Sequence, residues 1–202
     1  MHDCGGSAAQ ILGAPHIKHL EEEAKRLLGC DPAHGWPHVL RVASWARRII
    51  VNEGLLPDLR VLYIAVVLHD VGRALGGGHH AVASADYATT TLPRFGLSSV
   101  VGQVRHAILA HSYSLGLQAV TSEAKILSDA DKLDALGAIG IARVFHTGCQ
   151  KERSFNDSLR HFREKILRLP ALMHYKYSRK EAERLAGRIQ EFLRWWASEI
   201  PG

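Results

Sequence analysis

Val61-Leu62-Tyr63-Ile64-Ala65-Val66-Val67-Leu68 is an apolar run that ends on His69-Asp70. The run fits a helix over Leu59–Val71 buried in a core, and it falls well short of the roughly 20 residues that span a bilayer. Burying an imidazole beside a carboxylate costs free energy unless a partner compensates both, and a divalent cation does so well. Further candidates flank the pair: His38 in Trp36-Pro37-His38-Val39-Leu40-Arg41-Val42, and the aspartates of Ile126-Leu127-Ser128-Asp129-Ala130-Asp131-Lys132-Leu133-Asp134. The set reads His…His-Asp…Asp, mixed nitrogen and oxygen donors suited to a borderline or hard divalent metal.

Outward from that stretch, nearly every segment carries a helical period and almost none alternates as a strand does. Helices are expected over His16–Leu28, from Pro37 to about Glu53, and over Ala81–Leu92, Val100–Ala110 and Ser122–Phe145. Pro37 is acceptable in a first helical turn. Asp31-Pro32-Ala33-His34-Gly35 is a turn, and Gly72 with Gly76-Gly77-Gly78 marks a loop before His79-His80. Ser178-Arg179-Lys180-Glu181 has the form of a capping box. It opens a long amphipathic helix with Ala182, Leu185, Ile189, Leu193 and Trp196 on one stripe. The expected architecture is all-α, a single-domain helical bundle with a long C-terminal helix. Residues 1–30 form a leader and short helix packed on a domain of residues 31–202.

Bulk composition narrows the partners. Hydrophobic residues make up 47% and charged residues 22%, with a formal charge of +5 and 13 histidines besides. A positive excess of this size suits an anionic small molecule such as a nucleotide; it would also suit nucleic acid, which is not the expected partner. Cys4, Cys30 and Cys149 form no CxxC pair, which argues against a disulfide framework or thiolate zinc site and for a reducing, cytoplasmic location. Met1–Gly13 lacks the pattern of a signal peptide. The Trp195-Trp196 pair fits packing of the terminal helix on the core, with a homodimer seam as the alternative.

Asp129 and Asp131 point roughly 160° apart on a helix, so both cannot belong to one solvated face. Asp131 shares its stripe with Ala135, Ala138 and Ala142, the close-packed side of the expected helix. It is therefore the better ligand, and Asp129 is expected to support a ligand histidine or a water.

Residues 31–42, Leu68-His69-Asp70-Val71-Gly72-Arg73 and 129–143 resemble the HD superfamily of metal-dependent phosphohydrolases. So do His161-Phe162-Arg163-Glu164-Lys165 and the terminal helix. The match is to a branch of small bacterial hydrolases and covers roughly Asp31 to the end. The resemblance implies that His38, His69, Asp70 and Asp131 bind the metal, Asp131 lying in an Ala-Asp-basic-Leu signature. By the same resemblance, His80 and His111 bind a second metal or face the substrate phosphate. Arg73, Lys132 and His34 are expected near the phosphate, with Arg143 and Lys165 as outer candidates. The metal expected is Mn²⁺, Fe²⁺, Co²⁺, Ni²⁺ or Mg²⁺, one ion or two, activating water for attack on a phosphoryl group. The implied substrate is a small intracellular nucleotide, including a nucleoside triphosphate cleaved to monophosphate and pyrophosphate. Two rival functions stand beside it: an HD-type di-iron oxygenase and a nucleotide-binding module without turnover.

Overall fold

The computed structural model describes residues 15–76 and 78–199. The expected leader, Met1–Gly13, and Cys4 lie outside these residues. Among the described residues ten α-helices follow one another: α1 Pro15–Leu28, α2 Trp36–Glu53, α3 Leu59–Leu68, α4 Gly72–Leu75, α5 His80–Thr91, α6 Val101–His111, α7 Ser122–Asp134, α8 Gly137–Gln150, α9 Phe155–Glu164 and α10 Lys176–Glu199. Short 3₁₀ turns cover Leu92–Phe95, Ser98–Val100, Tyr113–Leu115 and Ile166–Leu172. No strand occurs among the described residues, and no described helix is long and apolar enough to cross a membrane.

The apolar run forms α3, whose only half-exposed members are Leu59, Arg60 and Tyr63. Asp58 caps its start, the carboxylate accepting from the amides of Arg60 and Val61, which satisfies two otherwise orphan donors. The α-helical pattern stops at Leu68, and His69-Asp70-Val71 form a turn leading into α4. Gly72 is needed there because a Cβ would lie 2.2 Å from the carbonyl oxygen of His80. This close approach brings the start of α5 beside the His-Asp pair. α3 also packs against α6 and α7, and α7 packs against α2, α6 and α10. The helices that bear the candidate ligands therefore surround one another directly.

Two sequence expectations are corrected. The single helix over 122–145 is two helices, because the chain turns at Ala135-Leu136 and resumes at Gly137 with φ +65°. A Cβ on Gly137 would sit 2.8 Å from Leu185 Cδ2, so the turn requires a residue with no side chain both for its left-handed backbone and for its contact with α10. The break removes the continuous Asp131–Ala142 stripe. The long helix, moreover, begins at Lys176 rather than after Ser178, which is buried within it. Carboxylates from distant helices serve its start instead of a local hydroxyl. Asp129 accepts from the amides of His174 (2.9 Å) and Tyr175 (3.1 Å), and Glu53 accepts from that of Tyr177. Negative charge at a helix N-terminus is favourable on both hydrogen-bonding and dipole grounds.

The α10 stripe does turn inward: Ala182, Leu185 and Ile189 are buried, and Trp196 stacks on Phe145 with ring centroids 5.6 Å apart. Trp195 is exposed. Gly137→Ala should destabilise the fold by about 2 kcal/mol, lowering the melting temperature by roughly 4–8 °C. Thermal denaturation followed by circular dichroism measures this, and an unchanged midpoint would show that the α7–α8 turn tolerates a side chain.

Candidate active site

Four helices and one turn deliver the cluster. His38 sits in the first turn of α2, His69-Asp70 follow α3, His111 ends α6, and Asp131 lies in the last turn of α7. His38, His69 and His111 are almost fully buried, as is Asp70, while Asp131 faces a cleft.

The hydrogen bonds fix the tautomers of the histidines. His69 Nδ1 donates to the Val66 carbonyl at 2.8 Å, and His111 Nδ1 donates to the Ile108 carbonyl. His38 Nδ1 donates to Asp134 Oδ2 at 2.7 Å. Each ring therefore keeps its Nε2 free to present a lone pair. His38 Nε2 and His69 Nε2 lie only 3.1 Å apart, a contact made either by a proton on His38 donated to His69 or by a cation bound to both rings. Two nitrogens bound at about 2.1 Å to one ion, at right angles, are separated by about 3 Å.

Asp131 Oδ1 is 3.4 Å and Asp70 Oδ2 is 3.8 Å from His38 Nε2. Ligand atoms of His38, His69 and Asp131 lie within 4.8 Å of one another, and so do those of His69, Asp70 and His111. Asp70 Oδ1 is buried with no hydrogen-bond partner, a position that is costly for a carboxylate oxygen unless a cation faces it. The donor set thus fits a divalent ion.

The electrostatics agree with that fit. Burial disfavours the His38 imidazolium, but Asp131 and Asp134 more than offset it and raise its pKa, so a positive charge is favoured at this point. Burial lowers the pKa of His69 to about 4, leaving a neutral donor ring. Burial alone would raise the pKa of Asp70, yet the charges of His69, Arg73 and His38 hold it well below the carboxylate range. Asp131 is likewise held down by His38, with His111 and His69 contributing.

The remaining candidates fall into three positions. His80 is in the cluster, its Nε2 3.5 Å from Asp70 Oδ1 and its ring 5.7 Å from that of His111; burial and Arg73 lower its pKa to about 4. Arg73 donates from Nε to Asp70 Oδ2 at 2.7 Å. His34 lines the adjoining cavity, held by a turn in which Asp31 accepts from the amides of Ala33 and His34. The other oxygen of Asp31 accepts from His146 and Gln150 on α8. Lys132 also reaches the cavity, but its ammonium bonds back to Ser128 on its own helix. Asp129 is not with the cluster: its carboxylate faces the start of α10, where both oxygens accept backbone amides. The expectation that it supports a ligand or a water is corrected accordingly.

Asp134 is the residue that sequence patterning passed over. Besides His38, it accepts from Arg41 Nε at 2.7 Å and from Arg143 Nη1 at 2.7 Å. The signal available was its place one turn beyond Asp131 on the same helix. A cavity of about 250 Å³ opens from the cluster, with His111, Asp131 and Arg143 among its lining residues.

Comparison with known proteins places these residues in context. The HD domain family model matches residues 35–136, a span that contains His38, His69, Asp70 and Asp131. Bacillus subtilis YpgQ is 32% identical over 179 residues, covering 84% of this chain and 85% of YpgQ. The crystal structure of YpgQ in complex with ADP superimposes with a TM-score of 0.74 at 28% identity, over 93% of this chain and 96% of that one. A predicted HD superfamily hydrolase from an uncultured Thermotogales bacterium gives a TM-score of 0.64 at 31% identity, over 92% and 93% of the two chains. An HD-superfamily hydrolase from Bacillus thuringiensis gives 0.68 at 30%, over 91% and 95%.

Two substitutions separate the roles of the aspartates. Asp134→Asn should weaken Mn²⁺ binding about 10–100-fold, because it removes the anion that orients His38 and sets its tautomer. Asp129→Ala should lower the melting temperature while leaving Mn²⁺ affinity within about twofold of the unaltered protein. Calorimetric titration with Mn²⁺ reads both, and the reverse pattern would exchange the two assignments.

Proposed function

The chain belongs to the HD domain family, and from that premise we propose that it is a divalent-metal-dependent phosphohydrolase acting on a small phosphorylated metabolite, a nucleotide being the favoured class. The observation that carries this reading is the pairing of a buried His/Asp cluster with a cation-lined cavity opening from it. Asp131 is the sole carboxylate lining that cavity among the described residues, against Arg73, Lys132, Arg143, Lys151, Arg153 and Lys165. Such a surface attracts an anion and strengthens its hold as negative charge grows in a transition state. The solution of YpgQ with ADP supports a nucleotide as the class to test first.

A bound divalent ion supplies Lewis acidity toward a phosphoryl oxygen and a water acidified toward neutral pH. His38, His69, Asp70 and Asp131 are the residues that would hold it. Asp134 and the Val66 carbonyl keep the two imidazoles oriented with Nε2 inward. Asp70 Oδ1, buried and without a hydrogen-bond partner, is the oxygen that would face the ion. Arg73 anchors the other oxygen of Asp70 and prevents the carboxylate from rotating away. Arg143, fixed by Asp134 at the cavity wall, faces the phosphate without needing to reorganise.

The second grouping of His69, Asp70 and His111, with His80 next to it, favours one further reading: a two-metal site, of which a di-iron oxygenase is one form. Metal count per chain and oxygen uptake distinguish it from the hydrolase.

With Mn²⁺ present, the purified protein should release phosphate or pyrophosphate from at least one member of a nucleotide panel, and chelation should abolish release. His38→Ala and Asp131→Ala should each reduce the rate by about three orders of magnitude or more while helix content is retained. Metal-loaded protein that binds nucleotides without cleaving any would favour a binding module, and oxygen consumption would favour the oxygenase.

A further inference from the structure

The cavity extends beyond the reach of the metal-suited cluster. Gly140, Val144 and Thr147 on α8 and Lys151, which caps its end, all line it, a spacing of three or four residues that places them along a single helical face. Arg143, at the end nearer Asp134, and Lys151, at the far end, have Cα atoms separated by about 12 Å of helix rise. Arg153, His161 and Lys165 line the same far end.

We propose that Lys151, Arg153, His161 and Lys165 form an anion subsite that takes a second, distal phosphate of the substrate, making the cavity selective for polyphosphates over monophosphate esters. The inference rests on the phosphohydrolase reading above and adds to it which residues set the substrate class.

Three observations carry it. The cations are uncommitted: Lys151, Arg153 and Lys165 make no side-chain hydrogen bond or ion pair among the described residues, although Arg41, Arg73 and Arg143 are all tied to carboxylates. They also stand around His161, which lines the cavity with them. Burial disfavours the His161 imidazolium, and Lys165, Arg153 and Lys151 each add to that effect, with Glu164 acting the other way. Like charges brought together in a partly desolvated cleft repel one another, and an anion placed among them relieves the repulsion.

The backbone between α8 and α9 is shaped to the same end. The amide of Arg153 donates to Gly148 and that of Glu152 to Cys149, the bonding pattern of a Schellman ending. The left-handed position of that motif normally takes glycine, yet here it holds Glu152, at φ +53°, the one non-glycine residue with positive φ among the described residues. Its exposed side chain is absent from the cavity lining while both neighbours, Lys151 and Arg153, belong to it. Strain of this kind persists where the surrounding structure requires it, and functional sites are where it gathers. Here the turn presents two cations to the cavity and keeps the intervening carboxylate out of it.

A single orthophosphate cannot touch both ends of a cavity of this length, whereas a polyphosphate chain with one phosphoryl group at the His/Asp cluster directs its next anionic groups along the α8 face toward Lys151. The charge is borne by side chains at the surface, so their removal leaves the core intact.

The test uses the whole chain and two inorganic probes, tripolyphosphate and orthophosphate, titrated calorimetrically into the unaltered protein, Lys151→Ala/Lys165→Ala and Arg153→Ala. Expected is a loss of tripolyphosphate affinity of at least tenfold in each variant, with orthophosphate affinity changed by less than threefold and the melting temperature unchanged. In parallel, kcat/KM for a nucleoside triphosphate should fall by at least tenfold in each variant, several times more than that for p-nitrophenyl phosphate falls. Equal tripolyphosphate affinity in all three proteins, or no preference for tripolyphosphate over orthophosphate, would overturn the subsite. If hydrolysis persists in that case, the phosphohydrolase reading stands alone. If tripolyphosphate binds as expected but nothing is hydrolysed, the subsite stands and the hydrolase reading fails.

Discussion

Two imidazole nitrogens, His38 Nε2 and His69 Nε2, are held 3.1 Å apart while the opposite nitrogen of each ring already donates to a buried acceptor. The arrangement calls for a positive charge between them, either a proton shared by the two rings or a cation bound to both. The remaining features of the centre follow from that constraint. Asp70 and Asp131 surround the point where the charge belongs, Asp134 supplies the counter-anion behind His38, and Arg73 steadies Asp70. Removing any one of these leaves a buried polar group without its partner, which is why the cluster acts as a unit.

The helical scaffold exists to hold these groups against one another. α3 is nearly all apolar because it is enclosed by neighbours, and it places His69-Asp70 at the bottom of the cleft. The close contact at Gly72 sets α5 and His80 alongside. On the far side, the broken helix at Gly137 allows α8 to leave α7 at an angle and to form the cavity wall, with Arg143 reaching back to Asp134. A continuous helix would have carried that wall away from the metal-suited cluster.

Much of this was legible in the sequence. The apolar run, the turn at Asp31–Gly35 and the helical periodicity gave the all-α class, and the resemblance to HD hydrolases singled out the four residues that the fold brings together. What stayed hidden depended on long-range partners. Asp129 looks like a site residue because it neighbours Asp131, and only the fold shows that it serves the α10 amides of His174 and Tyr175. The start of α10 lies ahead of Ser178 for the same reason, since its caps come from Asp129 and Glu53. Gly137 sits in a sequence that otherwise favours an uninterrupted helix, and its left-handed backbone answers to Leu185, nearly fifty positions away. Asp134 was visible only as one more acidic residue until its three partners converged on it.

One divalent cation is expected where His38, His69, Asp70 and Asp131 meet. Anomalous diffraction at the manganese edge, from crystals grown with Mn²⁺, tests it most directly. A strong peak is expected within about 2.0–2.4 Å of His38 Nε2, His69 Nε2 and a carboxylate oxygen of each aspartate. A peak elsewhere, or none in crystals whose soak solution holds millimolar manganese, would contradict it.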